Sequence, residues 1–372
     1  MVVPFAARVV IAVVGALLVL STWGSLIGTL IVPRPAGDRL THWVDRIVNT
    51  AFRLVTSRIA DHRQRDRVLA AQAAAILLAQ LAAWLGIFFV GYALLLWPFT
   101  DTGLGSAFSV ASPEVFGPNA AVGNAEKVLA DLAAFTGLAA VTLQIAYLPT
   151  LYSEFNRREN EVALLNARAG VPSWGPELLA RTHYALGSGA STIHTLPGLY
   201  AQWENWAAEV AESHTTYLPL VRFRSPRPLS SWVLALLAVL DSAALYLALS
   251  PQSAPVVPAR LCLRGGFECL TRVARAMGLN VPEEVDPATG ITLSYDEFLD
   301  AVAHMREVDF PIERDPADAW PDFVGWRVNY EQAAYAVASA VDAVPAMWSG
   351  PRRRRAAAIA PFRPALGRPP EQ

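Results

Sequence analysis

Glycine, serine and asparagine gather in one short stretch, Asp101 to Glu126 (DTGLGSAFSVASPEVFGPNAAVGNAE), between two long apolar runs, residues 73–99 and 128–152. A loop of small residues held between two apolar helices can turn its backbone carbonyls toward a narrow axis. There they replace the water shell of a passing ion. Irregular backbone at membrane depth survives only when it is buried in protein or faces water. Residues 101–108 suit a short pore helix, and 109–126 a filter and exit. Asp131 and Glu126 stand where carboxylates at a pore mouth attract cations; a solvated rim or a helix N-terminal charge is the other reading. Gly137, in the following apolar run, is a candidate gating hinge or a packing glycine.

Other chemistry-bearing residues are scattered. Glu209, Glu212 and His214 lie close in sequence and could serve as acid and base. No nucleophile pattern, HExxH or phosphate-binding glycine loop accompanies them, so they read as structural hydrogen-bonding groups. Asp286–Glu297 has the outline of a calcium loop, but Gly290 falls at its fifth position instead of the sixth and Ala288 at its third. Cys262 and Cys269 are seven residues apart, roughly 10 Å along one helix face, too far for a disulfide. Tyr200, Trp203 and Trp206 follow helical spacing and read as core. The expectation is a protein that is not an enzyme and needs no metal or cofactor.

The elements that must position the loop are membrane spans. Of 372 residues 17% are charged and the mean hydropathy is +0.32, which suits a membrane part joined to a soluble part. The net charge of -2 gives no reason to expect nucleic acid. Spans are expected at about 9–32, 73–97 and 128–152, each near the roughly 20 residues that cross the hydrocarbon. The first carries Gly24 and Gly28 as a GxxxG, with Gly15, Ser21, Ser25 and Thr29 also small. Gln80 and Gln144 are polar residues deep inside the second and third spans, and Pro149 comes near the end of the third. Eight arginines lie within 33–67, whereas 101–126 holds no Arg or Lys. The positive-inside rule then sets the N-terminus and the loop outside, with 33–67 and everything after 152 in the cytoplasm. Residues 39–60 form an amphipathic pattern with Arg39, Arg46 and Arg53 off the apolar stripe, suited to the inner membrane surface or to packing on the soluble part.

Residues 153–350 read as an all-helical cytosolic domain, punctuated by Pro and Gly. Ser294 and Glu297 make a capping box. Trp320, Phe323, Trp326, Tyr330, Ala333, Ala334 and Val337 form a helical stripe. Residues 229–250 (LSSWVLALLAVLDSAALYLALS) are long enough to span, but Asp241 at the centre would cost about 2.5–3.5 kcal/mol at mid-bilayer. They read as a buried helix of the soluble domain, capped by Ser230 or Ser231 and stopped by Pro251. Residues 351–372, with Arg352–Arg355 and a Pro-rich end, read as a disordered basic tail touching anionic lipid.

The chain resembles a family of actinobacterial membrane proteins related to two-helix, pore-loop potassium channels. The residues that carry the resemblance are STWGSLIGTLIVPR, WPFTD at 97–101, LQIAYLPTLYSEFNRRE, WGPELLAR, AESHTTY, RFRSPRP and SWVLALLAVLDSAALYLAL, reaching to about residue 270. The resemblance implies an ion pathway at Ser109, Val110, Ala111 and Ser112, standing where the family often has a filter-like TLGF. Both filter glycines are absent under this alignment and Pro113 follows. Setting Phe116–Gly117 on the filter's Tyr-Gly pair instead puts Pro113 and Glu114 inside the filter. Expected from the whole is an all-α protein of the plasma membrane, with three spans and a re-entrant loop. It is a potassium-channel-like homotetramer in the lipid bilayer, weakly selective for potassium or another monovalent cation; the alternative is a non-conducting scaffold or sensor that kept the channel fold.

Overall fold

The computed structural model describes residues 5–32, 39–99, 124–183, 191–282, 285–286, 289–352 and 357–362. Among these every long element is a helix and no strand occurs; a lone bridge joins Ala346 and Ile359. The helices are α1 Phe5–Leu30, α2 Arg39–Thr56, α3 His62–Leu69, α4 Gln72–Leu96, α5 Asn124–Ala169, α6 Gly175–Ala180, α7 Leu196–Thr216, α8 Trp232–Leu249, α9 Val256–Ala276, α10 Tyr295–Arg306 and α11 Pro316–Ala340. They fall into two compact units, Met1–Ala60 with Arg67–Ser153, and Asp61–Asp66 with Glu154–Gln372.

In the first unit α1 and α4 pack antiparallel. The reason is a pair of glycines: a Cβ on Gly15 would lie 2.7 Å from the Gly91 carbonyl oxygen, and one on Gly91 would lie 2.8 Å from Val19 Cγ2. Small residues let helix backbones approach where lipid supplies no hydrophobic drive between them. Farther along the pair, Trp84 Nε1 donates to Ser25 Oγ at 2.9 Å, and Trp23 tilts against Phe88. Val19, Leu26, Trp84, Phe88 and Tyr92 then close a core with Ala133 and Ala140 of α5. Gly24 and Gly28, the residues of the GxxxG, have nothing within 4 Å of a built Cβ and take no part in this seam. α5 runs on past Pro149, 46 residues in all, so the proline expected near the end of a span costs a hydrogen bond without stopping the helix.

Among the described residues four helices are long and apolar enough to cross a membrane. Three of them, which include α1, α4 and α5, have 22%, 33% and 33% of their apolar windows buried; α8 has 100%. Val13, Leu17 and Leu20 of α1, Leu78 of α4, and Leu132, Phe135 and Leu138 of α5 stand exposed. That much open apolar surface marks a lipid or protein contact.

The second unit is built around α8, enclosed by α6, α7, α9 and α11. Burying each of its Leu or Val side chains contributes about 1.5–3 kcal/mol. Ser231 holds the N-cap position without a side-chain bond, Ser230 Oγ instead accepts from Asn166, and the helix ends before Ser250 and Pro251. The capping box at Ser294 and Glu297 forms in full.

Two expectations need correction. The second unit includes Asp61–Asp66: Arg224 donates to Asp66 and to the Val341 and Asp342 carbonyls, and Arg65 sits 3.5 Å from Asp342. The expected disordered tail is also ordered in part. Arg352 is buried and donates to the carbonyls of Ala343, Val344 and Ser349 at 2.7–2.8 Å. Farther on, Ile359 N–H donates to Pro345 O, Phe362 N–H to Val171 O, and Arg181 to Phe362 O. Gly170, at φ +78°, lets the segment lie close: a Cβ there would be 2.5 Å from Pro361 Cβ.

Candidate functional site

The expected ion-pathway residues Ser109, Val110, Ala111 and Ser112 lie outside the described residues, as does the side chain of Glu126. What can be built is the frame on either side. Tyr92, near the end of α4, shares a 2.8 Å hydrogen bond with Thr136 Oγ1 and reaches toward the Leu132 carbonyl at 3.5 Å. Ala93 and Leu96 pack beside Leu129. The end of α4 and the start of α5 therefore adjoin. Asp131 is exposed near the start of α5, and Gly137 is buried next to Thr136. Gln144, one of the two polar residues noticed in the spans, is buried with neither amide atom bonded to a partner.

The second unit holds the densest polar chemistry, and it is internal. Arg327 donates through Nη1 to Asp241, through Nε to Glu331 at 2.7 Å, and through Nη2 to Tyr335 Oη and the Trp348 carbonyl at 2.8 Å each. Tyr330 Oη donates to the same Asp241 oxygen at 2.8 Å. Glu331 also accepts from Thr292, from its N–H and its hydroxyl. Burial pushes Asp241 up, and Arg327 and Tyr330 oppose that; Arg327, beside Asp241, stays charged. Each residue of this set bonds to another member of it.

A second network centres on Arg158. It donates to Leu220 O at 2.8 Å and Phe223 O at 2.7 Å, pairs with Glu159, and lies 3.0 Å from His214 Nε2. Burial, then the Arg158 charge, hold His214 well below its ordinary pKa. The neutral ring accepts at Nε2, which leaves Nδ1–H for Ser213 Oγ at 3.0 Å. A third set places Glu177 between Arg181 and His304, 2.8 Å from each, with Trp174 stacked on His304.

The trio Glu209, Glu212 and His214 does not converge. Glu209 pairs with Arg157, Glu212 with Arg272, and His214 with Arg158. Glu297, in the calcium-like stretch, has its carboxylate on Ser294. Cys262 and Cys269 are buried and free; burial raises both thiols, that of Cys269 to about 12. Tyr200, Trp203 and Trp206 are buried in the core, the two indoles 4.5 Å apart. Among the described residues no group of three His, Cys, Asp or Glu could hold a metal.

Reading the sequence missed Arg158, Arg327, Arg352 and Glu177 as network centres. The visible signal was Asp241, a carboxylate inside an apolar run that must find a cation. Its partner lies 86 residues away, beyond any local pattern. Compared with protein-family models, with curated proteins and with solved structures, the chain finds no match.

Proposed function

We propose that the protein is an integral membrane protein of the pore-loop cation-channel type, passing potassium or another monovalent cation with weak selectivity as a homotetramer. The observation that supports this most is the Tyr92–Thr136 junction. It holds the end of α4 beside the start of α5, the arrangement that a re-entrant loop between these helices requires. α1, α4 and α5 cross the plasma membrane, α8 does not, and four copies surround one axis. In this reading Ser109 and Ser112 offer hydroxyls to the ion, and Asp131 and Glu126 raise cation concentration at the mouth. Without filter glycines the carbonyls cannot form a rigid cage, hence weak selectivity.

A second reading, a non-conducting scaffold that presents its second unit to the cytoplasm, draws on the same missing glycines and on Pro113. Cation flux into liposomes separates the two, comparing potassium with sodium and the native chain with Ser109→Ala/Ser112→Ala. Flux that changes in the variant supports the pore. No flux from folded, inserted protein, under voltage and pH steps as well, supports the scaffold.

A further inference from the structure

We propose that α2 is a docking element for the anionic headgroups of the membrane surface, with Arg39, Arg46 and Arg53 as the headgroup ligands. This rests on the membrane placement above and is independent of conduction. α2 shows two contrasting sides. Its inner side packs on α4: Val44 and Thr56 are buried, and Asn49 accepts from Gln72 Nε2 at 3.1 Å. Its outer side carries two parallel strips. Trp43, Ile47 and Leu54 are 59%, 62% and 66% exposed, an apolar strip that no described residue covers. Beside it run Arg39, Arg46 and Arg53, which recur every seventh residue and so share one line along the helix.

All three arginines are exposed, and among the described residues none of them has a carboxylate partner; Arg53 donates to Thr50 Oγ1. Arg46 lies 5.3 Å over the Trp43 ring, which ties the two strips together. An apolar strip bordered by cations fits the boundary between acyl chains and phosphate groups. A second copy of the chain fits badly, because a two-fold contact through this face would set the unpaired guanidiniums of both copies side by side.

The test is native mass spectrometry of the full-length protein in detergent, with phosphatidylglycerol or phosphatidylcholine added. Carbonate extraction of membranes holding the same chains checks insertion separately. The native protein should retain phosphatidylglycerol over phosphatidylcholine, and Arg39→Gln/Arg46→Gln/Arg53→Gln should cut that preference about a hundredfold, at roughly 1 kcal/mol per charge. The triple lysine variant should restore most of it, and glycerol phosphate at equal concentration should not compete. Equal retention of both lipids by the native chain overturns the proposal, as does undiminished preference in the glutamine variant. So does a drop in oligomer mass on Trp43→Ala/Ile47→Ala without change in lipid retention, which assigns the strip to a second copy. Loss of all four chains in carbonate overturns the membrane placement itself.

Discussion

Arg327 and Asp241 meet in the centre of the second unit, a guanidinium of α11 against the one carboxylate of α8, both with side chains no more than 2% exposed. The pair makes the most apolar helix of that unit specific in register, because only one position along α8 can receive Arg327. Glu331, Tyr330, Tyr335 and the Trp348 carbonyl supply further hydrogen bonds to the pair. That is the condition under which a buried charge is tolerated.

Removing one member should therefore cost far more than removing both. Arg327→Met leaves Asp241 buried without its cation and should destabilise the second unit by about 3–5 kcal/mol. Asp241→Leu with Arg327→Met should recover much of that loss. Thermal melting of the detergent-purified full-length protein, read for both variants, checks it. Equal melting temperatures for the single and double variants would contradict the buried pairing.

The α1–α4 crossing makes a contrast between glycines of the first unit. Gly91→Ala puts a methyl 2.8 Å from Val19 Cγ2 and 3.2 Å from the Gly15 carbonyl oxygen. The helices must part, at a cost of about 1–3 kcal/mol. Gly24→Ala meets nothing and should stay within about 0.5 kcal/mol of the native protein. Melting temperature and the yield of monodisperse protein read the difference.

Acid should weaken the second unit through His214. Its folded-state pKa is depressed by burial and by Arg158, so the unfolded chain takes up the proton first. The contribution is complete above the unfolded value of about 6.5 and is lost as pH falls below it, by up to about 1.4 kcal/mol per pH unit. His183, also lowered by burial, adds to the same trend. Stability measured between pH 7.5 and 5.5 should fall for the native chain and fall less steeply for His214→Gln, which keeps an acceptor for Arg158.

Arg352 should behave as a core residue instead of a lipid-binding one. Arg352→Ala leaves the buried carbonyls of Ala343, Val344 and Ser349 without their donor, each a loss of about 1–3 kcal/mol where nothing replaces it. Release of residues 357–362 would follow. Limited proteolysis should cut the variant within this stretch under conditions that leave the native chain whole, while lipid retention stays unchanged.

Much of the helical layout is legible in residue patterns. Apolar runs of span length, the capping box at Ser294 and Glu297, and the Trp320–Val337 stripe each express a local periodicity, and each appears where it is read. Boundaries are less legible: Pro149 looks like an ending, yet α5 continues to Ala169. The Arg352–Arg355 run looks like a solvated tail because composition alone counts charges. Whether an arginine meets water or a ring of carbonyls depends on chain that folds back over it.

The sequence by itself determined which segments are helical and apolar, where the positive charges fall, and that a carboxylate, Asp241, sits inside an apolar run. These follow from side-chain type and spacing within a turn or two. Only the tertiary structure decided that Arg327 is the partner of Asp241, that Gly15 and Gly91 form the α1–α4 seam while Gly24 and Gly28 stay open, and that α8 is enclosed where α1, α4 and α5 are not. Each of these is a contact between residues tens of positions apart. Its free energy depends on close packing and satisfied hydrogen bonds, and neither exists until the helices meet.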